Sequence, residues 1–458
     1  MEYCESRAEK IKIAYIGGGS RGWAWTLMND LAKSEDMSGS VFLYDIDFEA
    51  AEHNEVIGNR IDCERWKYIA VRSLEETLCD ADFVIISILP GTFKEMESDV
   101  HAPEEYGIYQ SVGDTTGPGG FFRALRTVPM IQKIARKIKE CCPDAWVINY
   151  TNPMAVCVGA LYREFPGIKA FGCCHEVFGT QKLLSRALED VHGIKNIGRD
   201  KICVNVVGIN HFTWFTQAQY RDIDLFEVYR QFVEKYYETG YNVGPMGNWM
   251  NDCFQSAARV RFDLFRRFGC IAAAGDRHLA EFMDKDDYLS SPEAVRGWMF
   301  GLTPVSWRIE DLKKRLARSQ RLFYDEEKFK LRNSGEEGVM QMRALLGLST
   351  LVTNVNLPNV GQLPNLPLGT IVETNAVFKS DMLCPVQAGE IPDSIYDLVY
   401  RTAVENNLTI DAAFSRDKEF AYECFADGHM LKGLDVAQKR ELFNKMFENT
   451  KEYLTDYL

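Results

Sequence analysis

The 458-residue chain is 46% hydrophobic and 26% charged, which suffices for buried cores and, by length, for about two or three domains. Its net charge of −14 argues against nucleic acid and anionic membranes as partners, so an anionic substrate needs a local cluster of Arg or Lys. No apolar run approaches the ~20 residues that span a bilayer. The opening stretch MEYCESRAEKIK carries no hydrophobic signal segment, and thirteen cysteines without one imply reduced thiols in a cytoplasmic protein.

Strand-like and helix-like segments alternate over the first ~200 residues, which predicts a parallel sheet covered by helices. Strands are predicted at 11–17, 41–45, 82–88, 145–150 and 168–173, and helices at 22–33, 47–60, 73–79, 122–140 and 176–189. The first strand runs into Gly17, Gly18 and Gly19, and Gly22 completes G-x-G-x-x-G at the opening of a helix. Such a loop turns tightly and lets the backbone approach a pyrophosphate at a helix N-terminus. The second strand ends at Asp45, an acid placed for the ribose hydroxyls of NAD. Gly17, Gly19, Ser20, Gly22 and Asp45 therefore form the predicted cofactor site.

The glycine-rich segment 89–121 is long for a loop inside a compact domain, which points to function, and it holds Asp114. Arg123 and Arg126 follow at a helix start, either as forked contacts for a carboxylate or phosphate or as a solvated face. Asn149 and Asn152, in N-Y-T-N-P, suit hydroxyls or a nicotinamide carboxamide, or else a cap before Pro153. Cys173-Cys174-His175-Glu176 lies at the next strand end, where a helix N-terminus lowers a thiol pKa. Thiolate and imidazole suit a borderline divalent metal, although a buried structural pair is the alternative. Two extended runs, 202–209 and 212–218, predict a hairpin turning at Asn210-His211. Cys174 with His211 would leave open positions on a metal, as catalysis needs, and no Cys-x-x-Cys pair suggests structural zinc.

Helices are predicted at 224–237, 250–267, 290–299 and 308–320, strands with turns over 351–378, and a helical tail over 393–458. In Gly275-Asp276-Arg277-His278, Asp276 or His278 is a candidate general base, with Asp276 as a helix cap the plainer reading. The predicted architecture is α/β. A Rossmann-like doubly wound NAD-binding domain spans 1–200, and a mixed α+β domain for substrate, metal and oligomerisation spans 201–458.

This combination resembles the NAD- and metal-dependent family 4 glycoside hydrolases over essentially the whole chain. The resemblance is carried by IKIAYIGGGS, VFLYDIDFEAAEHNEVIGN, QSVGDTTGPGG, INYTNPM, GCCHEVFGTQK, GINHFTW, AAGDRHLAEF and VTNVNLPN. Cys174 to Val177 reads Cys-His-Glu-Val and is similar to the hexuronide-cleaving, α-galacturonidase branch. The resemblance implies a route outside the two-carboxylate scheme. NAD oxidises carbon 3 of the sugar, the metal assists proton loss at carbon 2, the glycosidic oxygen leaves, water adds, and hydride returns.

It further implies NAD on Gly17, Gly19, Gly22 and Asp45, and Mn²⁺ or a similar ion on Cys174 and His211. Asn152 is then expected on the sugar hydroxyls, Asn149 toward cofactor or sugar, and His175 as general acid. No Tyr stands at 276–279, so Asp276 is preferred as base, with His278 second. Charge suggests Arg123, Arg277 or Glu176-organised contacts for a uronate, and Asp114 is expected among the substrate-binding residues. The expected partner is a small uronic-acid glycoside, the expected assembly a homodimer or homotetramer, and Cys173 is expected to trap Cys174 on oxidation. The alternatives are an α-glucuronidase of the same family, a hydroxy-acid dehydrogenase, or an inactive NAD-binding sugar sensor.

Overall fold

The computed structural model describes residues 1–4, 7–61, 64–242, 253–254 and 256–457. Its larger sheet begins with Arg7–Ile16, flanked in parallel by Met37–Tyr44 and Phe83–Ile86. Trp66–Val71, Trp146–Asn149 and Lys169–Gly172 complete the parallel part. In chain order these six strands lie 6-5-4-1-2-3, the doubly wound arrangement predicted from the alternation. Phe83–Ile86 is buried along its whole length, because helices cover both faces of a parallel sheet. The strand Trp66–Val71 was not among the predicted elements. Its buried Trp66 and Tyr68 alternate with exposed Lys67, a period-2 signal in WKYIAV.

Segment 89–121 is not one loop. Thr92 and Glu95 form a reciprocal capping box that starts the helix Phe93–His101. The helix Gly117–Cys141 begins earlier than its predicted start at 122, leaving 107–116 irregular. The boundary expected at 200 does not divide the sheet either. Leu351–Pro358 returns to pair antiparallel with Lys169–Gly172 through Asn356 and Gly172, and Ile371–Lys379 and Met382–Pro385 extend that edge.

A smaller sheet holds the expected hairpin, Cys203–Ile209 against Phe212–Tyr220, with Ile209 opposite Phe212. Ile223–Asp224 and Ile271–Ala272 flank it. The helix predicted at 250–267 lies partly outside the described residues, and its described part is Arg259–Phe268. Val305–Phe323 forms a long helix laid against the first domain. Arg60 donates to Leu322 O at 2.9 Å, and Arg318 lies over the Trp25 ring at 5.3 Å. The tail contributes Asp393–Ser415, Lys418–Ala426 and Val436–Thr450. Eleven cysteines among the described residues are free thiols. No helix among those residues is long and apolar enough to cross a membrane.

Candidate active site

The glycine loop leaves the first strand at the switch point of the sheet. Gly17 and Gly18 N–H both donate to Tyr44 O at 2.9 Å. Gly17 has φ +93°, and a Cβ there would stand 2.0 Å from Ser87 O, so only glycine fits. Gly19 N–H donates to Asp45 Oδ2 at 2.8 Å, which ties the predicted ribose acid to the loop. Ser20 Oγ accepts from Trp23 N at 3.1 Å. Gly22 is the N-cap of Trp23–Lys33 and offers no capping side chain, so first-turn N–H groups remain for a phosphate. The cradle thus fits a dinucleotide. Its splint was missed from sequence: buried Asn54 donates to Gly18 O at 2.7 Å and Ser20 O at 3.0 Å, and accepts from Trp25 Nε1 at 2.8 Å.

Cys174 follows the strand Lys169–Gly172, and the helix Glu176–His192 starts two residues later. The hairpin turn brings Asn210-His211 to the same place. Fully buried Glu373 accepts from Asn210 Nδ2 at 3.0 Å and Asn354 Nδ2 at 2.6 Å, and Asn354 also reaches Cys174 O at 3.3 Å. Asn210 also acts to lower the Cys174 thiol pKa. Glu373 and Asn354 were missed; the sequence signal for Asn354 was VTNVNLPN, where Asn354 and Asn356 share one strand face, and Glu373 lay in an ordinary strand.

Burial, then Glu373 and Glu176, push the Cys174 thiol well above its ordinary range. This corrects the lowered pKa expected at a helix N-terminus. The Glu176 N–H does favour the thiolate, but desolvation and two carboxylates outweigh it. A coordinated cation reverses that balance, because metal-bound thiols deprotonate. His211 is pushed down to about 3 by burial and by His278, which leaves the neutral imidazole that binds metals. Its Nδ1 is 3.1 Å from Thr115 Oγ1, which donates to Asp114 Oδ1 at 2.8 Å. The Nδ1–H therefore points at Thr115, and Nε2 carries the free lone pair. Asn152 Oδ1, Asn210 Oδ1 and His278 Nδ1 are buried without a partner. Thiolate, imidazole and these orphaned atoms fit a borderline divalent cation with open positions.

Cys173 does not share this environment. It packs with Tyr15 and Phe171 in one core layer, while Cys174 packs with Ile209 and Phe212 in the other. Neighbours in an extended segment face opposite ways, so the expected trapping of Cys174 by Cys173 loses its geometric basis.

Glu176 Oε2 accepts from Gly275 N–H at 2.8 Å, and Oε1 is 3.6 Å from His278 Nε2. Burial pushes Glu176 up, but the His278, His211 and His175 imidazoles and the Gly275 N–H hold it at about 2. The His211 and His278 ring centroids are 4.1 Å apart, and burial lowers the His278 pKa. His175 caps the helix with its ring 5.9 Å from Trp23 and Nδ1 3.1 Å from Glu336. Burial opposes its charge, and Glu336 overcomes that and raises its pKa.

Two expectations need correction. Asp276 is fully buried and turned away from this cluster. It accepts from Val260 N at 3.4 Å and Arg261 N at 3.2 Å and pairs with Arg261 Nε at 3.4 Å. It caps the helix Arg259–Phe268, because a buried carboxylate takes the nearest free N–H groups. Asn149 is fully buried as well, and both ends of its amide are spent on Thr151, at 3.0 and 3.2 Å. It closes a local turn on Thr151, the contact the structure shows for its side chain.

Arg123 donates to Asn152 O at 3.2 Å and stands 4.0 Å from Asp114 Oδ2. Burial works against the Asp114 charge, but Arg123 and the His278 and His211 imidazoles hold its pKa well below the usual range. Arg126 is spent in a buried pair with Asp99. Arg277 donates to Ser111 O at 2.8 Å and to Thr303, and its Nε has no partner. Burial and then neighbouring Arg308 lower it to about 10. Arg308, on Val305–Phe323, also buries an unpartnered Nε, and Asp114, Arg123 and Glu281 act on its charge. Sequence reading missed Arg308, which stood at a predicted helix start like any solvated residue.

Glu281 Oε1 accepts from Val112 N at 2.7 Å and Gly113 N at 2.9 Å, and burial pushes its pKa from 4.5 to about 7. A raised carboxyl stabilises the fold fully below its unfolded value and loses that contribution as pH rises through the folded one. Glu281→Gln should therefore flatten the fall in Tm between about pH 5 and pH 8 in calorimetry, and an unchanged slope would contradict this.

A profile for the family 4 glycosyl hydrolases matches residues 12–190, and one for their C-terminal domain matches 206–428. An α-galacturonidase of Thermoanaerobacterium saccharolyticum is 60% identical over 459 residues, covering 99% of this chain and 98% of the relative. A solved Bacillus subtilis structure described as a glucosidase superposes with TM-score 0.92 at 51% identity, over 96% of this chain and 100% of that one. A 6-phospho-α-glucosidase from gut microorganisms, solved with NAD and Mn²⁺, shares the fold with TM-score 0.80 at 20% identity, over 97% and 99%. The chain is a glycoside hydrolase and belongs to glycosyl hydrolase family 4.

Proposed function

We propose that this chain hydrolyses small α-galacturonides using NAD and a divalent cation such as Mn²⁺. One observation carries the reading. Cys174 and neutral His211 meet through Asn210 and Glu373, beside the buried Arg123 and Arg277 and the half-buried Arg308. Full-length likeness to an α-galacturonidase supports it. When bound, NAD accepts and returns hydride, and the cation acidifies the sugar as a Lewis acid.

The protein's own groups do the rest. Gly17, Gly18 and Gly19 shape the cradle, and Asp45, tied to the Gly19 N–H, would take the ribose hydroxyls. Cys174 and His211 Nε2 hold the cation, and Thr115 fixes the His211 ring. Asn152 offers its unpartnered Oδ1 to a sugar hydroxyl. His278 is kept neutral by burial and offers an unpartnered Nδ1, which makes it the base in place of Asp276. His175, whose pKa Glu336 raises, donates to the leaving oxygen. Glu176 holds Gly275 and faces the His278 Nε2.

The global charge repels a uronate, so local cations matter. Asp114 balances Arg123, whereas Arg277 and Arg308 have no carboxylate within ion-pair distance among the described residues. Those two are assigned to the substrate carboxylate. The test is a parallel assay of aryl α-galacturonide, α-glucuronide and α-galactoside, with and without chelator. The reading expects galacturonide turnover that chelation abolishes and no net NADH. Arg308→Ala should raise KM for the uronide roughly 10- to 100-fold and leave the galactoside unchanged. Preference for the glucuronide, or stoichiometric NADH, would reject the assignment.

A further inference from the structure

Gly22 touches more than its own loop. Its φ of −155° with ψ of −74° lies outside the helical and extended regions. A Cβ there would also stand 2.4 Å from Nη1 of Arg315 and 3.8 Å from its Cζ. Arg315 belongs to the helix Val305–Phe323, far along the chain from the fingerprint. Asp311, one turn earlier, takes its Nε at 2.6 Å, which leaves the Nη edge turned to the glycine loop. The helix is fixed in this position by Arg60 on Leu322 O and by buried Leu322. A guanidinium from the second half of the chain thus rests where the loop meets the helix N-terminus.

We propose that Arg315 is a cofactor-binding residue that holds the dinucleotide pyrophosphate beside Gly22, at the N-terminus of the helix Trp23–Lys33. The proposal rests on the reading that the fingerprint holds NAD. A guanidinium fork and helix N–H groups are the two strongest protein partners for a phosphate, and here the guanidinium lies at the helix N-terminus. In a chain of net charge −14, a dianionic pyrophosphate gains most from a cation supplied at that point. Glycine at position 22 then has two uses: it admits the phosphate and it admits the arginine. Arg308 lies two turns earlier on the same helix, close enough to Asp114 and Arg123 for their charges to act on it. One helix therefore carries a cation toward each ligand.

The test is calorimetric titration of the full chain with NAD, ADP-ribose and adenosine. Arg315→Ala should weaken NAD and ADP-ribose roughly 10- to 100-fold and leave adenosine unchanged, since only the first two carry the pyrophosphate. Arg315→Lys should lose less, because charge survives while the fork is lost. Gly22→Ala should weaken NAD as well, and adding Arg315→Ala to it should cost little more, because the new Cβ has already displaced the guanidinium. Unchanged NAD affinity in Arg315→Ala overturns the proposal, as do an equal loss on adenosine or fully additive effects. A wild-type chain that binds none of the three ligands would remove the cofactor reading and this clamp with it.

Discussion

Replacing Cys174 by Ser is expected to lower kcat/KM on an aryl α-galacturonide by roughly 10³-fold, since a Lewis acid contributes several kcal/mol to such a barrier. A serine hydroxyl is a harder ligand and does not ionise near neutrality, so the site would lose its thiolate. The wild-type surroundings make this demand visible. Glu373 and Glu176 lie close enough to push the Cys174 thiol upward, and with burial they make the spot hostile to a thiolate that lacks a cation. His211 is held neutral with Nε2 open, which is the other half of the same arrangement. Mn²⁺ titration followed by electron paramagnetic resonance gives an independent readout. Wild-type turnover and Mn²⁺ affinity in Cys174→Ser would remove the metal assignment altogether.

Asp276 should behave oppositely. Asp276→Ala is expected to cost about 3–5 kcal/mol of stability, because it strands the buried Arg261 charge and frees two helix N–H groups. Asp276→Asn should recover part of that loss, keeping an acceptor for the N–H groups while giving up the charge. Its turnover should stay within a few-fold of wild type, because the carboxylate faces Arg261 and not the sugar cluster. Denaturant midpoints and kcat measured on the same samples separate the two effects. If Asp276→Asn kept its stability but lost activity by about 10³-fold, the base would be Asp276 after all.

Those two residues show where sequence reasoning reached and where it stopped. Cys174, His211 and the glycine loop were legible because each sits at a strand end, and strand ends follow from local periodicity. Asp276 and Asn149 lie at strand ends too, yet both side chains are taken by other partners. Asp276 found Arg261 and a helix terminus, and Asn149 found Thr151. Short polar side chains take whichever backbone groups burial brings nearest, and position alone does not reveal which. Asn354, Glu373 and Arg308 were invisible for the converse reason. They come from late segments that read as an ordinary strand and an ordinary helix until the chain returns to the first sheet.

The amino-acid sequence by itself determined the doubly wound half, the glycine loop at its first strand end, the placing of Cys174 and His211 at strand ends, and the family. Each is written in short-range pattern: glycine spacing, apolar runs of strand length, and chemistry at their ends. Tertiary structure decided the rest. Leu351–Pro358 crosses back to extend the sheet beyond residue 200, and that return places Glu373 between Asn210 and Asn354. The docking of Val305–Phe323 sets Arg315 against Gly22 and brings Arg308 close enough to Asp114 and Arg123 for their charges to act on it. Contacts between segments so far apart depend on how whole layers pack, and no local window of sequence encodes that packing.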